Sequence, residues 1–362
     1  MNQKRQKGQN MKFIHIADVH LGVKPDAEKS WSEKRAQDIW DTFAETIRIA
    51  AKEQVNFLFI AGDLFHKQPL KRELKEVCGL FAQIPRTKVI LMAGNHDYMQ
   101  MNSYYRTCEF PENVFFFSRE EVTGFDFPEE NVTVYGLSYW HREITDRLYD
   151  ALRPVNPGRI NVLLAHGGDG KHIPFSTETI LQNGFDYIAA GHIHKGGQLV
   201  PGHAVMAGAL EPTDCNDFGP HGYWLGELEK GRSSVSFFPV KKCEYCKETV
   251  RVTPETTGYG LQEQIRKLVE ESPKYRYFQI ELEGRVDPDV RFDLEQIAAL
   301  DRITGVVESF TPDYSYEKIC AEQEGTLLEA YIRSMEKHTG DPVAAKALEY
   351  GVSALLGHQI CR

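Results

Sequence analysis

The stretch FIHIADVH, residues 13–20, runs from an apolar segment directly into an aspartate and a histidine. Similar transitions follow along the chain: NFLFIAGDLFH at 56–66, KVILMAGNHD at 88–97, INVLLAH at 160–166 and YIAAGHIH at 187–194. Each apolar run predicts a buried strand. Active-site residues of open α/β sheets lie at the carboxyl ends of strands, so the repetition predicts one site assembled from all five segments.

These segments supply two aspartates, Asp18 and Asp63, one asparagine, Asn95, and several histidines. Such a mixture suits two neighbouring divalent metals, which in two-metal sites lie about 3.5–4 Å apart and clamp the attacking and leaving oxygens. Asp, Asn and His together favour manganese, iron or zinc over calcium or magnesium. No cysteine lies in these segments, which counts against a structural zinc site. The expected chemistry is metal-assisted hydrolysis of a phosphate ester.

The composition excludes several classes of protein. With 362 residues the chain has room for two domains, and its net charge is −10. That charge counts against a protein that coats nucleic acid by neutralising phosphates, but not against a nuclease, since bound cations supply local positive charge. No apolar stretch approaches the ~20 residues of a membrane span, so no membrane association is expected.

Two further features concern the terminus and the cysteines. Residues 1–10 are basic and polar without an apolar segment, which predicts a flexible tail rather than a signal peptide. Seven cysteines, an odd number, are scattered along the chain and indicate reduced thiols and a cytoplasmic protein. Cys243 and Cys246 are the one close pair; no second pair follows to complete a zinc site, and their role stays open.

Strands that alternate with helices predict an α/β fold, with β-sheets flanked by helices in a layered core over residues 11–240. The charged, turn-rich residues 241–257 predict a linker, and 258–322 a smaller α+β capping domain. Residues 323–362 predict a C-terminal helical pair, with Asp341 as the N-cap and Pro342 in the first turn of its second helix. Its apolar stripes would dock a partner or, equally, pack back on the cap.

The five motifs resemble those of the calcineurin-like metallophosphoesterases. In that family the Asp and His of D-x-H, the Asp of G-D and the last His of G-H-x-H hold one metal. The resemblance implies that the first metal is held by Asp18, His20, Asp63 and His194. It implies that the second is held by Asp63, Asn95, His166 and His192. Asp63 would bridge the two, and His96 would face the phosphate as a catalytic residue that protonates or stabilises the leaving oxygen.

Two differences from the protein Ser/Thr phosphatases indicate which branch of this superfamily the chain resembles. Protein Ser/Thr phosphatases have G-D-x-x-D-R-G and G-N-H-E, where this chain has Gly62-Asp63-Leu64-Phe65-His66 and Gly94-Asn95-His96-Asp97. The segment FDYIAAGHIHK, residues 185–195, is similar instead to the SbcD-like DNA exonuclease branch, the nuclease subunit of a double-strand-break repair complex. In that branch His66 would be an additional catalytic histidine near the scissile phosphate. Ala209 stands where the family usually has serine.

Other polar residues are expected to have supporting or unrelated positions. Asp97 is predicted to shape the turn or to support the ligands from behind, and His15, within the first strand, to support the ligands or to lie in the core. Histidines without a motif are predicted to lie on the surface: His172, His221, His338 and His358.

The leading hypothesis is a two-metal-dependent DNA nuclease, an exonuclease with single-strand endonuclease activity left open, that acts in repair or recombination. It implies Mn²⁺ as cofactor (Fe, Zn or Mg as alternatives), a DNA substrate and an SbcC-like coiled-coil ATPase partner; a homodimer stays open. The alternative is a small-molecule phosphodiesterase or nucleotidase, which the acidic charge favours and the capping domain disfavours. A metal-free scaffolding subunit is a third hypothesis, but every ligand position holds a competent residue.

Overall fold

The computed structural model describes residues 11–338 and 340–357, so the predicted tail at residues 1–10 lies outside the described residues, as does His358. The chain divides into two compact units, the first ending at Glu244 and the second beginning at Tyr245. The first unit contains the following elements in chain order: β1 (Met11–Ile16), α1 (Ser32–Lys52), β2 (Phe57–Ala61), α2 (Lys71–Phe81), β3 (Lys88–Met92), β4 (Val114–Phe117), β5 (Thr123–Phe127), β6 (Val132–Gly136), β7 (Ile160–His166), α3 (Thr177–Gln182), β8 (Tyr187–Gly191), β9 (Gly197–Val200), β10 (Ala204–Met206), β11 (Gly222–Glu229) and β12 (Arg232–Pro239).

Two six-stranded sheets form this unit, with strand orders β12-β11-β1-β2-β3-β4 and β5-β6-β7-β8-β10-β9. Strands β1, β2, β3 and β4 pair in parallel, as do β6, β7, β8 and β10. Because parallel strands end at the same edge of a sheet, the loops after β1, β2 and β3 lie side by side, and so do the ends of β7 and β8. All five sequence motifs lie at these ends.

The apolar side chains form three layers of core around the two sheets. One cluster lies between the sheets and joins Phe13 and Phe59 of the first sheet to Val162 and Tyr187 of the second. A second packs α1 and α2 on the first sheet, and a third packs α3 against the second sheet. Alternate residues of each strand therefore face opposite layers. The expected layered α/β class is confirmed. Among the described residues no helix combines the length and apolarity needed to cross a bilayer.

The second unit begins with a small sheet of order β13-β14-β15. Its elements are β13 (Glu244–Val252), α4 (Gly258–Glu271), β14 (Arg276–Val286), α5 (Leu294–Ala298), β15 (Ile303–Pro312), α6 (Tyr316–Glu322), α7 (Leu327–Met335) and α8 (Pro342–Leu355). The prediction of a linker at 241–257 is wrong in its middle part, because β13 occupies it. Val250 and Val252 are buried in the core of this sheet, while Lys247 and Arg251, on the alternate positions of the strand, are exposed. The charged composition reflects a half-exposed strand rather than an unstructured segment.

The C-terminal helices bury their apolar stripes against one another. Residues from α6, α7 and α8 form a separate cluster with Tyr314, made of Cys320, Leu328, Ile332, Leu348 and Val352. Asp341 caps α8 by accepting a hydrogen bond from the N–H of Val343 (3.0 Å), and Pro342 lies in its first turn, as expected. The helical pair therefore shares its core with Tyr314 and α6, which lie within the residues 258–322 predicted as the capping domain.

Candidate metal centre

The structure brings the seven predicted ligand residues together at the strand ends. They follow β1 (Asp18, His20), β2 (Asp63), β3 (Asn95) and β8 (His192, His194), or end β7 (His166). The ligand atoms of Asp18, His20 and His194 all lie within 4.8 Å of one another, and so do those of Asp18, Asp63 and His166. Residues as far apart in sequence as Asp18 and His194 thus converge on one site.

One side of the site is formed by Asp18, His20 and His194. The Nε2 atoms of His20 and His194 are 3.1 Å apart. The Asp18 carboxylate is fully buried and accepts hydrogen bonds from the backbone N–H of His192, at 2.9 and 3.1 Å. This bond ties the loop after β1, in one sheet, to the loop after β8, in the other. The group corresponds to the set expected for the first metal.

The other side is organised around the side-chain oxygen of Asn95. Asn95 Oδ1 lies 2.9 Å from Nε2 of His166 and 3.1 Å from Nδ1 of His192. All three residues belong to the set expected for the second metal. His166 is fully buried at the end of β7, and Asn95 is nearly so.

Asp63 lies between the two sides. Its Oδ2 atom is 3.4 Å from Nε2 of His166 and 3.8 Å from Nε2 of His20, so one carboxylate contacts both sets. The Asp63 carboxylate can occupy this position only because residue 94 is glycine, since a Cβ atom at Gly94 would lie 2.2 Å from Asp63 Oδ1. Gly62 has a φ of +86°, and its Cβ would lie 2.3 Å from Nδ1 of His166. The glycines of both motifs are therefore required by the close passage of the chain.

Hydrogen bonds decide which ring nitrogen of each histidine faces the centre. Nδ1 of His166 lies 2.8 Å from the carbonyl oxygen of Ala61, which can only accept, so Nδ1 carries a hydrogen and Nε2 remains available to a metal. His192 bonds the Asp169 carboxylate through Nε2 (2.9 Å), which leaves Nδ1. His194 bonds the Asp217 carboxylate through Nδ1 (2.9 Å), which leaves Nε2. Each available nitrogen is the one that faces the centre.

The backbone at the site is strained. Asp18, His20, Asp63 and His192 have φ values of 49°, 51°, 49° and 102°. A positive φ is uncommon for residues other than glycine and costs on the order of 1–3 kcal/mol per residue. Such strain persists where the surrounding structure enforces it, and it clusters at functional sites. Here it points four side chains inward from tight loops.

The protein groups alone create strong local fields. Burial lowers the pKa of His20 to about 3. Burial also acts to lower the pKa of His166, but the Asp63 carboxylate outweighs it and raises that pKa to about 9. For His194 the bond to Asp217 and the charge of Asp18 outweigh burial and likewise raise the pKa to about 9. Burial opposes the ionisation of Asp63, yet the neighbouring His166 holds the pKa of Asp63 well below its usual range.

Two further histidines border the centre on its more open side. His66 and His96 are partly exposed, and the ring centroids of the two are 5.3 Å apart. The His20 ring lies 4.8 Å from that of His96 and 5.4 Å from that of His66. Nδ1 of His96 is 3.2 Å from the carbonyl oxygen of His66, so Nδ1 carries the hydrogen and Nε2 is left for a substrate.

The residues expected in supporting positions are both buried. Asp97 accepts hydrogen bonds from the N–H groups of Gly94 (2.8 Å) and Phe65 (3.1 Å) and from the hydroxyl of Tyr105 (2.7 Å). Its carboxylate thus holds two site loops together. His15 lies between the two sheets, with Nδ1 3.2 Å from the hydroxyl of Tyr187, and burial lowers its pKa to about 3. It is a core residue and does not contact the predicted ligands through any described hydrogen bond.

Sequence reasoning missed several contributors. Asp169 bonds both His192 and His172, and Asp217 bonds His194; neither aspartate was assigned a role. The prediction of a surface position is wrong for His221, which is buried and bonds the carbonyl oxygens of Ala209 and Asp217. It is also wrong for His172, whose ring lies 4.3 Å from that of His192, whereas His338 is exposed as expected. One available signal was the position of Asp169 three residues after His166.

The donor set fits two divalent metal ions. Two imidazole nitrogens 3.1 Å apart, at His20 and His194, suit a shared cation, and the Asn95 oxygen faces two more imidazoles. Oxygen and imidazole donors grouped around a bridging carboxylate are appropriate for first-row divalent ions.

A layered α/β core that gathers Asp, Asn and His at its strand ends defines a metal-dependent phosphoester hydrolase. Residues 11–196, just over half of the 362, match the model of the calcineurin-like phosphoesterase family. The chain therefore belongs to this family.

Comparison with individual proteins gives more distant similarities. The chain is 28% identical over 265 residues to the uncharacterized metallophosphoesterase YhaO of Bacillus subtilis, a match that covers 67% of this chain and 64% of YhaO, slightly under two thirds of its length. It is 29% identical over 306 residues to the DNA double-strand break repair protein Mre11 of Sulfurisphaera tokodaii, covering 76% of this chain and 74% of that protein. A solved dimetal phosphatase from Danio rerio overlaps 63% of this chain and 98% of its own, with 14% identity and a TM-score of 0.36.

Proposed function

We propose that this protein is a metal-dependent DNA nuclease that hydrolyses phosphodiester bonds in repair or recombination, with Mn²⁺ as its metal. The observation that carries the proposal is the pair of histidines, His66 and His96, at the open side of the centre beside Asp63. A phosphomonoesterase needs one group to protonate the leaving oxygen. A second histidine at that position suits a longer substrate whose phosphate must also be held.

The protein groups divide the work of hydrolysis. Two divalent cations bound here would supply Lewis acidity and activate water at neutral pH. The residues proposed to hold them are Asp18, His20, Asp63 and His194 on one side, and Asp63, Asn95, His166 and His192 on the other. In its doubly protonated form His96 keeps the hydrogen on Nδ1 bonded to the His66 carbonyl and donates the proton on Nε2 to the leaving oxygen, which returns the ring to its neutral state. His66 donates a hydrogen bond to a phosphate oxygen.

Local positive charge supports a DNA substrate despite the net charge of −10. Directly after His66 the chain presents exposed cationic residues, Lys67 and then Lys71, Arg72 and Lys75 of α2. Cationic side chains that neutralise backbone phosphates supply most of the sequence-independent affinity for DNA. The similarity to Mre11 proteins, whose name states a role in DNA double-strand break repair, extends over 306 residues and so beyond the family model.

We further propose that the C-terminal helices bind an SbcC-like coiled-coil ATPase. Their mutual packing buries one stripe of each helix, yet Leu327 of α7 and Val343 and Leu355 of α8 stay exposed by 73%, 75% and 45%. Exposed apolar side chains on short helices suit recognition of a partner helix.

The reduced state implied by the scattered cysteines supports the cytoplasm as the location.

The test compares substrates on one preparation. The purified full chain is stripped with EDTA, reloaded with MnCl₂ and assayed on end-labelled duplex and single-stranded DNA, beside bis-p-nitrophenyl phosphate and cyclic nucleotides. Mn²⁺-dependent degradation of DNA supports the proposal. If the protein cleaved cyclic nucleotides but left DNA intact, the result would favour a small-molecule phosphodiesterase. The acidic net charge also favours that function.

A further inference from the structure

The two histidines of the Gly191–His194 motif are held in opposite ways. His192 is bonded through Nε2 by Asp169, and His194 through Nδ1 by Asp217, both at 2.9 Å. Each histidine therefore presents a different ring nitrogen to the centre: Nδ1 towards Asn95 and Nε2 towards His20. Two histidines separated by one residue thus point different ring nitrogens into the centre, and each ring is held by its own carboxylate.

Both carboxylates are themselves fixed. Oδ1 of Asp169 accepts hydrogen bonds from the backbone N–H groups of Lys171 and His172, both at 2.8 Å, and from Nδ1 of His172 at 2.9 Å. Oδ2 of Asp217 accepts from the N–H of Thr213 at 2.9 Å and from its hydroxyl at 2.7 Å. A carboxylate held in this way cannot rotate freely, so it fixes the orientation of the imidazole ring that it accepts from.

The two aspartates come from separate loops. Asp169 follows β7, and Asp217 lies between β10 and β11. His172 adds a ring contact of 4.3 Å to His192, which supports the Asp169 side only. The Asp169 and Asp217 carboxylates share no described hydrogen-bond donor, so either can be replaced without removing a partner of the other.

We propose that Asp169 and Asp217 are positioning residues, each of which sets the affinity of one metal. Asp217, through His194, controls the metal on the side of Asp18 and His20. Asp169, through His192, controls the metal on the side of Asn95 and His166. This inference rests on the two-metal hydrolysis proposed above. Removal of a carboxylate that orients a ligating histidine typically costs 10–100-fold in metal affinity.

The test measures binding of Mn²⁺ rather than activity. Equilibrium titration of the full chain, with free Mn²⁺ followed by electron paramagnetic resonance, is carried out on the wild type, Asp169→Asn and Asp217→Asn. Each variant should keep one tight equivalent and bind the other roughly 10–100-fold more weakly. Glu143→Gln, which removes an exposed carboxylate paired with Lys171 near the same loop, should bind both as the wild type does.

Double variants assign each aspartate to its metal. Asp217→Asn combined with His20→Ala should weaken only one of the two equivalents, because both act on the same metal, whereas Asp217→Asn combined with Asn95→Ala should weaken both. Asp169→Asn should show the reverse pattern. Weakening of both equivalents in all four combinations would overturn the assignment.

The remaining outcomes are also decisive. Wild-type affinity for both metals in Asp169→Asn and Asp217→Asn would overturn the inference. If the wild type itself binds fewer than two ions, the proposed two-metal function fails instead. If the wild type binds three ions and Asp169→Asn two, then Asp169, His172 and His192 form a metal site of their own and the positioning role of Asp169 is wrong. Should Asp217→Asn not fold, Thr213→Val removes only the hydroxyl and must weaken the same metal; unchanged affinity would overturn the role of Asp217.

Discussion

The Asp97 carboxylate accepts a hydrogen bond from the backbone N–H of Phe65 at 3.1 Å. Through this bond the loop that carries Asn95 and His96 is joined to the loop that carries Asp63 and His66. The relative placement of the proposed ligands and the proposed acid therefore depends on Asp97, a residue outside the proposed ligand set.

Asp97→Ala should destabilise the protein as well as the site. The substitution leaves the N–H groups of Gly94 and Phe65 and the Tyr105 hydroxyl without their acceptor. Each buried group left unpaired costs about 1–3 kcal/mol, so the free energy of unfolding should fall by about 3 kcal/mol or more in urea titrations. Tyr105→Phe, which removes a single donor, should cost about 1 kcal/mol. If Asp97→Ala lowered the free energy of unfolding by less than about 1 kcal/mol, the two loops would have to be held together by other contacts.

Asp63→Asn should abolish cleavage and lower the content of both metals. A carboxylate can bridge two cations, whereas an amide bridges poorly and carries no charge to offset them. Metal content by mass spectrometry is the measurement, with Asp146→Asn, at an exposed aspartate, as the control. Two full equivalents of metal in Asp63→Asn would contradict the bridging position.

His96→Ala should slow the cleavage of DNA by about 10²–10⁴-fold while metal content stays at the wild-type level. The effect should be much smaller on bis-p-nitrophenyl phosphate, because p-nitrophenolate leaves without protonation and has little need of a general acid. Parallel rate measurements on the two substrates check this. Equal losses on both, or the loss of a metal ion, would mean that His96 is not the proton donor.

His66→Ser should lower kcat/KM for the cleavage of DNA. A hydrogen bond to a charged group contributes about 1.5–3 kcal/mol, which corresponds to roughly 10–100-fold in kcat/KM. Exonuclease and endonuclease rates on labelled DNA provide the measurement. His141→Ser, at an exposed histidine paired with Glu120, is the matched control and should leave both rates unchanged. If His66→Ser also left both unchanged, the proposed contact with the phosphate would be excluded.

Leu327→Lys combined with Val343→Lys should abolish capture of an SbcC-like ATPase while the protein stays folded, because both side chains are exposed. Ala345→Lys adds a charge at another exposed face of α8 and should bind normally. By contrast Ile332→Ala, at a fully buried position, should lower the free energy of unfolding by about 2–5 kcal/mol. Binding is measured by pull-down with the purified ATPase. Retained capture in the double lysine variant would place the docking surface elsewhere.

Local patterns in the chain were sufficient to predict the layered core and the set of residues at its centre. Apolar runs that end in Asp, Asn or His place these side chains at strand ends, and the rule that parallel strands end at one edge then brings them together. The same reasoning failed at 241–257, where charged residues alternate with buried Val250 and Val252 on β13. For the C-terminal stripes it left two outcomes open, docking to a partner or packing on the preceding domain, and α7 and α8 bury part of these stripes against each other and α6.

The sequence by itself determined the family, the sheet-forming segments and the residue types that can bind metal, since each depends on short-range periodicity and on motif chemistry. Only the tertiary structure decided which nitrogen each histidine presents. Asp169 and Asp217 each lie 23 residues from the histidine that they orient, on opposite sides of it in the chain. No spacing rule relates such residues, because their hydrogen bonds form only where independent loops, held by different strands, return to the same few ångströms of space.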